Sequence, residues 1–353
     1  MVSKRPAKPR QTRRTGRQAR SQQAHAASSQ PPSSARSASL PPLESSSRDA
    51  AFYVRAWLVA ARPVTLTAAV TPVLVGTALA ARQGPVDWLL FALAFLGSVL
   101  IQVGTNLADE YTDHRSSGGQ TKYPAPHKVI ARGLLSESAV LKGLLVSFGL
   151  SSIMGLYIVA QVGWPILVVG LLSTLAGYLH SSGPFPLGHH LLGELTVFCF
   201  MGPLIVMSAY FVQTQEVTWA VFWASATVGL WVTAILQANN LRDREDDKAE
   251  GKQTFATLLS LGAGRWIYAW LLYLGYAVLV VDAMAGVVPW FALAALVVMP
   301  RAFKLVGQLA RANARPAFNA ILVGTAGFHM QAGVLMALGI AVDTVLRQRG
   351  IAV

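Results

Sequence analysis

Nine apolar stretches, at residues 63–81, 86–108, 138–160, 163–180, 191–212, 217–238, 265–283, 286–305 and 317–341, are long enough to cross a bilayer as helices. A helix needs about 20 apolar residues, give or take a few, to span roughly 30 Å of hydrocarbon. Inside lipid the backbone has no water to bond, so each stretch must close its own hydrogen bonds as a helix. The expected fold is therefore all-α: an integral membrane bundle of about nine transmembrane helices. Composition agrees, because 53% of the 353 residues are hydrophobic and 13% are charged, outside the range of soluble domains. Two joints are less regular, the Pro300-Arg301 interruption of the eighth stretch and the short Gly163-Trp164-Pro165 turn between the third and fourth.

The loops at 109–137, 239–265 and 301–317 carry four, five and four Lys or Arg and all fall on one side of such a bundle, whereas the opposite connections hold little beyond Arg82. Cytoplasmic loops collect Lys and Arg. The expectation is a multi-pass protein of a bacterial inner membrane, or else of a plastid membrane, with its N-terminus cytoplasmic and its C-terminus outside. Of the net charge of +13, +8 sits in residues 1–50, a Ser, Pro, Ala, Gln and Arg-rich stretch too poor in apolar residues to fold by burial. That placement points to anionic lipid rather than nucleic acid, for which no partnership is expected. The domain reading is a disordered basic tail at 1–50, a transmembrane domain at 51–345 and a short tail at 346–353. Cys199 is the single cysteine, which excludes an intrachain disulfide and a cysteine metal site.

Function is written in a repeat. Asn-Leu-x-Asp-x-x-x-Asp occurs as Asn106 to Asp113 and again as Asn240 to Asp247, each time at the end of an apolar stretch. At i, i+3 and i+7 the Asn and both Asp share one helix face, so each copy presents a strip of carboxylates, with Glu110 added to the first and Asn239 to the second. Eight of the sixteen acidic residues lie in these two clusters. Crowded carboxylates repel one another until a cation neutralises them, and paired hard oxygen ligands suit Mg²⁺ carrying phosphate oxygens. Basic residues of the same loops, Lys122, Lys128, Arg132 and Lys252, complete a site for a diphosphate held by metal on one side and by cations on the other. An anionic diphosphate at the mouth of an apolar bundle implies an isoprenoid diphosphate, its head on metal and its tail in the membrane.

From Ala61 to about Ala341 the chain resembles the intramembrane aromatic prenyltransferases of the UbiA superfamily, which carry such a pair of Asp-rich motifs. Ala61-Arg62-Pro63 with Thr65, the Gly183-Pro184-Phe185-Pro186-Leu187-Gly188 loop, and Asn239-Asn240-Leu241-Arg242-Asp243 with Gly251-Lys252 resemble one branch, the 1,4-dihydroxy-2-naphthoate polyprenyltransferases of menaquinone synthesis. The resemblance implies Asp109, Glu110, Asp113, Asp243 and Asp247 as metal ligands and Asn106 and Asn240 as strip residues on the substrate. It also implies Lys128 on the diphosphate, and an aromatic acceptor whose prenylation releases its carboxylate as CO₂. Arg62 or Asn239 is the expected partner of that carboxylate, and Tyr178 the ring to face the developing allylic cation. Where the family usually reads Asn-Asp-x-x-Asp, this chain reads Asp109-Glu110-Tyr111-Thr112-Asp113, a side chain longer by one methylene at the second position.

Two rival readings stand beside this one: another acceptor, such as homogentisate, 4-hydroxybenzoate or a chlorophyllide, and a cation-coupled transporter. Transporters keep their acids near the midplane, whereas these strips lie at span ends. His189 and His190 read as an interfacial loop, His329 as a hydrogen-bonded packing residue, Asp282 as interfacial, and Glu194 as either functional or paired.

Overall fold

The structure, a computed structural model, describes residues 49–116, 128–181 and 186–351. The tail through residue 48, Lys122 and Gly183, Pro184 and Phe185 of the 183–188 loop lie outside the described residues. Among the described residues every regular element is helical. Helix α1 (Ala50–Ala61) starts on Asp49, whose carboxylate accepts the Phe52 amide at 2.8 Å. It ends at Arg62, and Pro63 opens α2 (Pro63–Ala80) at a position where the missing N–H costs nothing. Asp87 then caps α3 (Trp88–Ser116) by accepting the Leu89 and Leu90 amides at 2.9 and 3.0 Å. Ser136 and the Gly163 turn bound α4 (Glu137–Val162), and α5 (Pro165–Ser181) returns.

Helix α6 (Leu192–Thr214) contains a π turn at Phe200–Leu204 built around Pro203, which has no N–H to give to an α-helical ladder. The long α7 (Trp219–Ala249) is followed by a single turn, α8 (Phe255–Leu258), and by α9 (Leu261–Met284). A 3₁₀ stretch, Trp290–Val298, runs into α10 (Met299–Arg311) at Pro300, the joint the sequence marked. Helix α11 (Arg315–Gln348) ends the bundle, so the boundary expected at 345 falls inside a helix.

Eight of these helices are long and apolar enough to cross a membrane. The ninth expected span is α5, whose 17 residues reach about 26 Å at 1.5 Å per residue, the lower end of spanning length. The protein is an integral, multi-pass membrane protein.

Helices α2, α7 and α11 form the centre, and α3 to α5 make a looser leaf beside them. In the centre Trp231 meets Tyr276 and Phe328 edge to face, at centroid distances of 5.0 and 5.6 Å, and donates to the Leu272 carbonyl at 3.2 Å. A Cβ on Gly202 would lie 2.4 Å from the Gly229 Cα, so α6 and α7 cross through a pair of glycines. His329 is fully buried in α11, but neither ring nitrogen meets a partner among the described residues, contrary to the hydrogen-bonded role expected of it. Asp282, expected at an interface, is buried as well.

Candidate active site

Both Asp strips ride on helices that continue past their apolar stretches. Expected spans ending at 108 and 238 instead extend to Ser116 in α3 and Ala249 in α7, which holds the carboxylates rigidly at one end of the bundle. Beneath them, between the α3–α5 leaf and helices α2, α6 and α7, opens a mainly apolar cavity of about 600 Å³. Arg62, Asn106, Asp109, His180 and Asn239 line its strip end, and Leu93, Val159 and Val212 its far end.

In the first strip, Asp109 accepts from Arg62 Nη1 at 2.8 Å. Arg62 takes left-handed backbone angles, φ 51°, which cost energy for a side chain that carries a Cβ; they turn the chain sharply between α1 and α2 and set the guanidinium on Asp109. Asn106 donates to the Ala61 carbonyl at 2.8 Å and to Thr65 Oγ1 at 2.9 Å, tying α3 to the same turn. Asp113 is joined to Lys128. Glu110 is 2% exposed and accepts a backbone amide, that of Ile130 at 3.0 Å, bracing the turn that follows Lys128. Arg132 belongs to that same turn, its amide on the Lys128 carbonyl at 3.1 Å.

The second strip is bound in the same manner. Asp243 accepts from Arg242 Nε at 2.9 Å and from Arg315 Nη2 at 3.2 Å, and Arg315 also reaches Asp246. Asp247 accepts from Lys252 Nζ at 2.7 Å, and Glu250 lies 3.3 Å from the same ammonium. Burial alone would push Lys252 down, but these two carboxylates outweigh it and hold the ammonium above the ordinary lysine range. Asn240 donates to the buried Glu194 carboxylate at 3.0 Å, which answers the question about Glu194 with a pair. Asn239 faces the cavity while its carbonyl oxygen accepts from Arg242 Nη2 at 2.9 Å.

The two strips face a common space. Asp113 of the first and Lys252 and Glu250 of the second act together on His189, in the 3₁₀ turn Leu187–His189, whose imidazole is pushed down by burial first and by Lys252 next. The His189 carbonyl accepts the Gln253 amide at 2.7 Å, locking that turn to the Lys252 loop.

Tyr178 is placed differently from its expected role. It is 48% exposed and does not line the cavity, because α5 turns about 100° per residue and gives its cavity face to Gly177 and His180. His180 and Arg315 were not singled out from sequence, and Arg242 entered only as part of the Asn239–Asp243 run. A histidine closing an otherwise apolar helix was the available signal for His180; Arg315 carries none, because loop arginines also set topology.

Carboxylates at i and i+4 on both α3 and α7 form a donor set of hard oxygens that fits a divalent ion, and a buried oxygen of Glu110 has no partner among the described residues. Among the described residues no three acidic, His or Cys side chains already converge on one point; the carboxylates lie on basic residues instead.

Residues 69–339 match the UbiA prenyltransferase family. The chain is 35% identical over 198 residues to the 1,4-dihydroxy-2-naphthoate octaprenyltransferase of Bacillus subtilis, a match covering 56% of this chain and 64% of that protein. With the Escherichia coli protein of the same name it shares 33% identity over 226 residues, 62% of this chain and 73% of that one. Among solved structures, a UbiA homolog from Aeropyrum pernix K1 superposes with a TM-score of 0.60 at 14% identity, covering 79% of this chain and 97% of the other. A UbiA homolog from Archaeoglobus fulgidus bound to DMAPP and Mg²⁺ superposes with a TM-score of 0.51 at 14% identity, covering 80% and 99%.

Proposed function

The chain belongs to the UbiA prenyltransferase family, and from that premise we propose that it transfers a polyprenyl group from a prenyl diphosphate to 1,4-dihydroxy-2-naphthoate, releasing diphosphate and CO₂, to give a demethylmenaquinol. The observation that carries the reading is the opposition of two carboxylate strips, each backed by basic residues, at the mouth of an apolar cavity. The names of the bacterial relatives support the acceptor, and the A. fulgidus homolog with DMAPP and Mg²⁺ supports the donor and the metal.

Asp109, Asp113, Asp243 and Asp247 are the residues that would hold Mg²⁺. When bound, the ion supplies positive charge that stabilises the departing diphosphate. Lys128 and Lys252 add donors to the diphosphate as they exchange their carboxylate partners for its oxygens, and Arg132 and Lys122 belong to the same basic loop. Asn106 and Asn240 hold the strips to the turn at Ala61 and to Glu194, so the carboxylates are aimed before substrate arrives. The prenyl chain lies in the apolar cavity, whose walls keep water from the allylic cation that develops as the diphosphate leaves. Arg62 and Asn239, at the strip end of that cavity, meet the acceptor's carboxylate. The basic loops at the strip end support, under the positive-inside rule, a cytoplasmic position for that end in a bacterial inner membrane.

The test is product mass from purified protein in lipid or detergent, given Mg²⁺, a long-chain prenyl diphosphate, and dihydroxynaphthoate or homogentisate separately. The mass of demethylmenaquinol, or of the quinone it becomes on oxidation by air, from dihydroxynaphthoate alone, lost with chelator and reduced at least about 100-fold in Asp109→Ala and Asp243→Ala, is the expected result. Product from homogentisate alone would replace the acceptor and keep the chemistry.

A further inference from the structure

His180 is a polar ring in an apolar cavity that neither the metal strips nor the basic loops employ. It closes the last turn of α5 and shares with Gly177, three residues back, the face that lines the cavity. Its ring makes no hydrogen bond to any described residue. The charged groups that act on it come from both halves of the site, Asp109 of α3 and Lys252 of the loop after α7. Its back is fixed: a Cβ on Gly188 would stand 2.8 Å from the His180 carbonyl oxygen and 3.0 Å from Nε2, so only glycine lets the 187–189 turn lie against the ring. That turn is in turn tied to the Lys252 loop through the Gln253 amide. A ring held this firmly, facing a cavity and without a hydrogen-bond partner among the described residues, has the properties of a ligand contact.

The chemistry of the two substrates decides which of them it contacts. A diphosphate offers only acceptors and is already provided with Lys and Arg donors. A dihydroxylated aromatic acceptor offers O–H donors, and among the described residues at the cavity's strip end few uncharged acceptors are open to it: Gln102 Oε1 also lacks a partner but is buried out of a ligand's reach, Asn239 has its carbonyl oxygen on Arg242, Asn106 is tied to Gln102, Thr65 and Ala61, and Asp109 is on Arg62. We propose that His180 touches the aromatic acceptor and accepts a hydrogen bond from one of its ring hydroxyls. An O–H so bonded leaves more electron density on its oxygen and so on the adjacent ring carbon, the atom that attacks the prenyl cation. His180 is then a catalytic residue, and its role rests on the prenyl transfer proposed above.

The experiment pairs the residue with the hydroxyl. Steady-state kinetics of the full-length enzyme are compared for dihydroxynaphthoate and its two mono-O-methyl ethers, in wild type and in His180→Ala, His180→Phe and His180→Gln. In wild type one ether loses about 10- to 100-fold in kcat/KM, the cost of a buried hydrogen bond. His180→Ala and His180→Phe lose a similar factor with the dihydroxy acceptor and no longer distinguish it from that ether, while KM for the prenyl diphosphate stays within about twofold. His180→Gln, which retains an acceptor oxygen, recovers part of the discrimination. Unchanged kcat/KM in His180→Ala would overturn the proposal. So would a loss that simply adds to the ether's loss, the result a packing role gives. If wild type turns over homogentisate instead, the acceptor assigned above is wrong, and the same comparison on the homogentisate hydroxyls decides the role of His180.

Discussion

Glu110 and Lys252 show how placement alters the meaning of a charged residue. By spacing Glu110 belongs to the first strip, yet its carboxylate accepts the Ile130 amide and steadies the turn behind Lys128. If that is its task, Glu110→Gln, which keeps the accepting oxygen, retains most turnover. Glu110→Asp, which withdraws it by a methylene, raises the KM for prenyl diphosphate about tenfold, the effect of losing one hydrogen bond. The reverse order in steady-state kinetics would make Glu110 a ligand, as its motif position implies. Lys252 is expected to act on the diphosphate as a permanent cation. Its folded-state pKa lies above the ordinary 10.5, so its contribution is complete below that value and is lost only as pH rises through the higher folded one. Lys252→Gln therefore raises the KM for prenyl diphosphate by about tenfold or more, equally at every pH from about 6 to 9; a penalty that faded toward pH 9 would show that the ammonium titrates in that range.

At the scale of the element, the carboxylate strips are positioned by helices that outrun the membrane and by crossings that leave no room for side chains. The crossing of α6 and α7 at Gly202 and Gly229 sets the wall of the cavity next to the π turn, where Phe200, Met201 and Ile205 line it. Gly202→Ala puts a methyl against backbone that cannot retreat, and it is expected to destabilise the protein by about 1–3 kcal/mol. A thermal midpoint in detergent checks this, and an unchanged midpoint would mean that the two helices can part. Asp49, Asp87, Ser136, Thr218 and Ser260 cap their helices with side chains of the type that opens helices, a local signal, whereas Pro203 is the local signal at the π turn.

For the whole molecule, α1 joins the first strip to the end of the bundle through a satellite cluster that includes Ala56, Leu107, Val129 and Val140. The described fold begins at the Asp49 cap, and we propose residues 1–48 as dispensable for catalysis. Removing them leaves turnover and thermal midpoint unchanged within error, whereas a fall in either would show that the tail takes part in the fold or the site. The bundle's far end is rimmed by Trp88, Trp164, Trp219 and Trp290, each more than half exposed, as tryptophans at a membrane interface are.

The sequence by itself determined the all-helical membrane bundle, since apolar length and backbone self-satisfaction are local properties, and it determined both strips, since i, i+3 and i+7 lie on one face of any helix. It could not determine partners distant in the chain. Arg62 on Asp109 spans 47 residues and Arg315 on Asp243 spans 72, and such pairs exist only once the helices pack. Nor could it decide between Tyr178 and His180. Helix α5 is apolar on nearly every face, and where lipid and protein interior are equally apolar no hydrophobic stripe records which face turns inward. Only the packing of α5 against α3, α4 and α6 set that rotation, giving Gly177 and His180 to the cavity and leaving Tyr178 exposed.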